Sequence, residues 1–175
     1  MNNFEYLIDK IANAGFSDHP FPHIYIENFF SEADFNEITS SSAINIKESD
    51  DNEEMFNSLF SEGYKIIDFP GCIVDQQEYI AWHASSKKHS NIHTATEGFG
   101  MTLRLMNPKI DALKNLKEFI ESQSFSEAIA KKFNIEIDSV YADNGIQKYL
   151  DGYEISPHPD IRKKALTYMV NINPH

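Results

Sequence analysis

His158 and Asp160, two residues apart, carry the clearest metal chemistry in this sequence. On an extended segment, residues i and i+2 point to the same side, so both side chains can reach one ion. An imidazole and a carboxylate that leave other positions open suit the 2-His-1-carboxylate arrangement that holds non-haem Fe(II). Pro157 and Pro159 flank the histidine and stiffen the segment, which helps to fix ligand geometry. A bare His-x-Asp is short and arises easily by chance. Its bland reading is an Asx turn beside a surface histidine. The surroundings of the motif decide its weight.

Those surroundings read as strand, glycine turn, motif, basic loop, strand. Gly145 to Leu150 is the first extended stretch, Asp151-Gly152 the turn, and Arg162-Lys163-Lys164 a solvated loop charge. Leu166 to Ile172 is an apolar, strand-forming run in which Thr167, Met169 and Asn171 share one face by alternation. If buried, Asn171 needs a partner. Three more histidines, His83, His89 and His93, fall within eleven residues. Spacings of six and four bring them together on no regular element, so loop histidines are the plainer reading than a separate metal site.

The rest of the chain must position this segment. At 175 residues it supports one domain, 1–175, and an apolar content of 41% with 13 Phe and 8 Tyr is enough for a core. The net charge of −12 repels phosphate backbones and argues against nucleic acid as a partner. One cysteine, Cys72, allows no internal disulfide and fits a reducing compartment. No leader and no apolar run long enough to span a membrane is apparent, so a cytoplasmic protein without membrane contact is expected.

In chain order, Phe4, Leu7, Ile8 and Ile11 predict a helix over 3–14, stopped by Gly15. His23 to Ile26 predicts a strand, and Ser31 caps a helix to about Ile38. Residues 40–54 read as a mobile acidic loop. A strand over 64–69, a helix over 75–84, a polar loop over 85–97 and a strand over 98–106 follow. Asn107-Pro108 reads as the start of a helix to about Glu121, and Ser124 as the cap of the next. Ile135 to Ala142 reads as extended. Helices first and antiparallel strands later make the class α+β.

Together, Tyr149-x-x-Gly152, Pro157-His158-x-Asp160 and Leu166 to Asn173 resemble the 2-oxoglutarate- and Fe(II)-dependent oxygenases, in particular their prolyl-hydroxylase-like branch. Pro22 to Phe30 resembles the strand that leads into that branch's first core helix. The resemblance implies N-terminal helices packed on an incomplete double-stranded β-helix core of the jelly-roll or cupin kind. It implies His158 and Asp160 as ligands of Fe(II), with 2-oxoglutarate as cosubstrate and ascorbate as a possible addition. It implies that Tyr149 bonds the cosubstrate carboxylate and that Asn171 faces it. Arg104 has two readings, an acidic substrate or cosubstrate contact and, the plainer one, a cross-strand or surface charge.

The family's site also has a distal His, followed by an Arg or Lys that grips the cosubstrate. No residue here matches either, since His175 lies only fifteen residues past Asp160. The expectation is the N-terminal portion of a hydroxylase with reduced or no activity, acting on a small-molecule or peptide substrate. The alternative is a non-catalytic interaction module derived from the same fold. Either way, the edge of the Leu166–Ile172 strand is expected to form a homo-oligomer.

Overall fold

A computed structural model of the protein describes residues 4–47, 49–69, 71–85, 98–155 and 164–173. In chain order its elements are α1 (Tyr6–Asn13), β1 (Phe16–Ser17), β2 (His23–Ile24), α2 (Glu32–Thr39), α3 (Asn52–Ser61), β3 (Tyr64–Ile66) and α4 (Gln76–His83). Then follow β4 (Gly98–Phe99), β5 (Thr102–Leu105), α5 (Asp111–Ile120), α6 (Gln123–Phe133), β6 (Gln147–Tyr149) and β7 (Glu154–Ile155). The class is α+β. Among the described residues the strands form one three-stranded antiparallel sheet and two antiparallel pairs, with no barrel or jelly roll. Among the same residues no helix is long and apolar enough to cross a membrane. The length led to one domain, and within it the contacts separate two compact units.

The first unit comprises Met1–Asn45, Ile110–Asn144 and Ala165–His175. It is helical, with α1 packed on α6 and α5 packed on both α2 and α6. Its core is aromatic: Phe4 meets Phe30 edge-on at 5.9 Å, and Phe119 meets Phe125 at 5.2 Å. Ser31 caps α2 as the sequence predicts, its Oγ accepting from the Asp34 N–H at 3.1 Å. The Tyr6 hydroxyl adds to this cap, donating to Asp34 Oδ2 at 2.6 Å and accepting from the Ser31 N–H at 2.8 Å.

The second unit comprises Ile46–Lys109 and Gly145–Lys164. Its sheet runs β3-β5-β6, with Lys65 and Gln147 both opposite Arg104, and Tyr149 opposite Thr102. Tyr64, Leu103 and Leu105 lie on one sheet face and are buried. α3 packs on β3 and α4, where Phe56 and Tyr79 meet edge-on at 5.6 Å. Asp75 caps α4, accepting from the Glu78 N–H at 2.9 Å.

Several expected boundaries move, each for a local reason. The acidic loop over 40–54 is shorter than expected, because Asp51 accepts from the Glu53 and Glu54 N–H groups and starts α3 at Asn52. Within the remainder, Ala43 and Ile44 are buried. The strand over 98–106 is two strands. Gly100 has φ +79°, and a Cβ there would come within 2.8 Å of the Tyr153 Cα. The chain therefore bends, so that β4 pairs with β7 while β5 joins the larger sheet.

Asn107 does not cap α5. Its N–H, like that of Met106, is bound to the Gly63 carbonyl, and the helix begins at Asp111. α6 starts two residues earlier than Ser124 implies, because the Ser122 Oγ is the one that accepts from the Phe125 N–H. The stretch 135–142 is no strand. It holds a single 3-10 turn, Ile137–Ser139, as its Asp and Ser content favours. Leu166–Ile172 joins no sheet among the described residues. Within it Tyr168 is turned onto Phe125 at 5.3 Å, while Met169 is 82% exposed.

Candidate functional site

The segment before the His-x-Asp motif is a bent arm in the second unit, in which β6 pairs with β5 and β7 with β4. β6 ends at Tyr149, and the chain turns through Leu150-Asp151-Gly152-Tyr153, closed by a 2.9 Å bond from the Tyr153 N–H to the Leu150 carbonyl. Gly152, at φ +78°, supplies the positive dihedral that a type II turn requires at its third position. β7 leaves this turn and pairs with β4, Phe99 opposite Glu154 and Gly98 opposite Ile155. The sequence then reaches His158 and Asp160, which lie outside the described residues, as do Pro157, Pro159, Arg162, Lys163, His89 and His93.

Tyr149 stands at 45% exposure on β6. Its ring stacks on Tyr153 with centroids 4.3 Å apart, and its hydroxyl donates to Gln147 Oε1 at 2.8 Å. Burial raises its pKa above the usual tyrosine value, Arg104 nearby lowers it and Cys72 raises it. The hydroxyl is thus a neutral donor at ordinary pH, and a phenolic oxygen can accept as well as donate. Arg104 shares this side of the sheet and is half-buried. Its side chain fills the space beside Gly145, where a Cβ would lie 2.7 Å from the Arg104 Cδ and Nε. Its two Cα partners, Lys65 and Gln147, offer it no cross-strand carboxylate.

Asn171 belongs to the first unit. It is exposed, and its Oδ1 accepts from the Asn173 N–H at 3.0 Å. That local turn satisfies the side chain without the buried partner a core position would demand.

The structure brings together His83 and Asp151, ionisable residues that the sequence left apart. His83, the last residue of α4, places Nε2 2.7 Å from Asp151 Oδ2. Its Nδ1 lies 3.4 Å from the Asn52 amide nitrogen at the start of α3. An amide donating to Nδ1 leaves the proton of a neutral ring on Nε2, facing the carboxylate. The ring stacks on Tyr79 at 5.5 Å, and the Tyr79 hydroxyl donates to the Asp151 carbonyl at 2.9 Å. Burial, then the Asp151 charge, pushes the Tyr79 hydroxyl well above its ordinary pKa. The only signal in the sequence was the i, i+4 spacing of Tyr79 and His83, which names a helix face and no partner.

Among the described residues no three His, Cys, Asp or Glu side chains gather in a way that could hold a metal ion. His83 and Asp151 supply one imidazole and one carboxylate already bonded to each other. No protein-family model, no curated protein and no solved structure matches this chain.

Proposed function

We propose that the chain is an Fe(II)- and 2-oxoglutarate-dependent oxygenase, a hydroxylase acting on a small-molecule or peptide substrate in the cytoplasm. The observation that carries the reading is the arm leading to His158. A glycine turn and a paired strand, β7, end three residues before the histidine, and Tyr149 stands half-exposed on the strand before that turn. An imidazole and a carboxylate at this spacing fit Fe(II) by donor type. The iron, when bound, supplies the oxidising chemistry, in which 2-oxoglutarate and O2 become succinate and CO2 and one oxygen atom enters a substrate C–H bond. His158 and Asp160 would hold it, leaving positions open. Tyr149 would orient the cosubstrate through its neutral hydroxyl. The fold that accompanies this reading is a partial double-stranded β-helix, with the antiparallel strands of the second unit as its beginning.

Anoxic titration with Mn(II) or Co(II) tests the assignment, with succinate release in the presence of ascorbate as the companion assay. With only two ligands matched to the family's site, weak binding is expected, and His158→Ala and Asp160→Ala should each abolish it with the fold retained. Succinate release should be low, because no residue matches the distal His or the cosubstrate Arg. Binding that survives both substitutions refutes the assignment.

A second reading is a non-catalytic, self-associating interaction module. Its support is the apolar Leu166–Ile172 stretch, which joins no sheet among the described residues and leaves Met169 and Val170 exposed.

A further inference from the structure

Lys65 of β3 and Arg104 of β5 stand directly opposite each other, and Gln147 of β6 stands opposite Arg104 on its other side. The three form one row across the sheet, on the face away from the buried Tyr64, Leu103 and Leu105. Like charges directly opposite on neighbouring strands repel and cost stability. That cost falls in a chain with 27 acidic residues against 15 basic ones, yet neither strand neighbour of Arg104 is a carboxylate. Lys65 is exposed and makes no ion pair among the described residues. Gln147, also exposed, accepts the Tyr149 hydroxyl at Oε1, so its amide nitrogen faces the other way with N–H groups to donate. The Arg104 stem runs beside Gly145, two residues before β6. Burial raises the Tyr149 pKa, but Arg104 acts on the same hydroxyl in the opposite sense, so its field there favours negative charge.

We propose that the row Lys65–Arg104–Gln147 is a seat for the carboxylate of a small organic acid, with Tyr149 orienting the Gln147 amide. All four residues belong to the second unit. The seat needs no metal, so it stands apart from the reading of His158 and Asp160 as ligands. An anion between Lys65 and Arg104 replaces their mutual repulsion by two attractions, and charge-assisted hydrogen bonds of this kind are stronger than neutral ones. The Gln147 amide adds a donor without adding charge. The charge of the ligand decides its class. The net charge of −12 repels every anion, and the repulsion grows with the charge the ligand carries. A carboxylate presents two acceptor oxygens for a single negative charge, so it is opposed less than a phosphate group or a polyanion.

The test is a titration of the full chain with acetate in metal-free buffer, ionic strength held constant with chloride and binding followed by NMR shifts of backbone and glutamine side-chain amides. Saturable shifts should centre on Lys65, Arg104 and the Gln147 amide. Lys65→Ala should raise the acetate dissociation constant roughly tenfold, as loss of a hydrogen bond to a charged group does. Gln147→Ala should raise it by a smaller factor. Lys65→Glu should abolish the saturable shifts. The same change sets opposite charges against each other, so in chloride alone its melting temperature should exceed the parent's by about 1–3 °C. That combination, a firmer fold with no binding, is what loss of a structural contact would not produce. Shifts in the parent that never saturate, or an unchanged dissociation constant in Lys65→Ala, overturn the seat. A Lys65→Glu chain that melts below the parent in chloride removes the repulsion the argument starts from and also overturns it. Tighter binding of inorganic phosphate than of acetate overturns the carboxylate as its ligand.

Discussion

The rings of Tyr149 and Tyr153 stack face to face across the Leu150–Tyr153 turn, 4.3 Å apart and 26° from parallel. Offset stacking of this kind contributes about 0.5–1.5 kcal/mol beyond the area it buries. It also holds the Tyr149 ring so that its hydroxyl points along β6 to Gln147. The stack and the hydroxyl therefore do separate things: the first shapes the turn, and the second is available to a ligand.

Tyr149→Phe separates them. The stack survives, so thermal stability should change little. If the hydroxyl bonds the cosubstrate carboxylate, 2-oxoglutarate affinity measured with Mn(II) present should fall roughly tenfold, since a hydrogen bond to a charged group contributes about 1.5–3 kcal/mol. Equal affinity for the two proteins would return Tyr149 to a purely structural role.

Tyr168 offers the opposite case. Its ring packs on Phe125, yet its hydroxyl is buried and has no hydrogen-bond partner among the described residues. A buried hydroxyl without a partner costs about 1–3 kcal/mol. Tyr168→Phe should stabilise the protein by about 1 kcal/mol in denaturant unfolding. A destabilised variant would mean that the hydroxyl finds a partner in solution.

What the sequence disclosed was local chemistry. Ser31 announces α2 because its capping side chain bonds an N–H three residues away. The turn after Tyr149 was equally legible, since Gly152 marks it, whereas β7 beyond it depends on its pairing with β4. α3 was hidden by its acidic start, although Asp51 ahead of Phe56 and Leu59 was a readable signal. Other features depended on partners far along the chain. Asn107 is tied by its N–H to the Gly63 carbonyl, four residues before α5 begins, and Gly100 takes a positive φ where Tyr153 packs against it. The His83–Asp151 bond spans 68 positions, and no periodicity or motif points to it. The metal motif rests on sequence, because His158 and Asp160 lie outside the described residues.

Alkaline pH should unfold this protein earlier than its charge alone implies. Tyr64, Tyr153 and Tyr168 are each pushed up to about 12, chiefly by burial and then by neighbours, Glu62 in the case of Tyr64. Below about pH 10 both folded and unfolded chains keep these protons. Between about 10 and 12 the unfolded chain loses them first, so it binds fewer protons and stability falls as pH rises. Melting temperature should decline through that window in step with tyrosinate absorbance, and Tyr64→Phe should flatten the decline. A flat melting temperature up to the folded values would rule out preferential ionisation of the unfolded chain.

Self-association through the Leu166–Ile172 stretch is the remaining expectation. The stretch joins no sheet among the described residues and shows Met169 and Val170 at 82% and 37% exposure. An extended apolar edge is a template for a second copy, and each Å² of apolar surface it covers adds roughly 25 cal/mol. The net charge of −12 opposes association, and salt screens that repulsion over distances of about 10 Å at 0.1 M. A dimer or larger species should therefore grow with ionic strength. Val170→Lys places a charge on the edge and should shift the balance toward monomer while the melting temperature holds, because Val170 is not part of the core. Sedimentation velocity at low and high salt decides between them. A clean monomer of the folded parent chain at both would show that the edge is covered within one molecule.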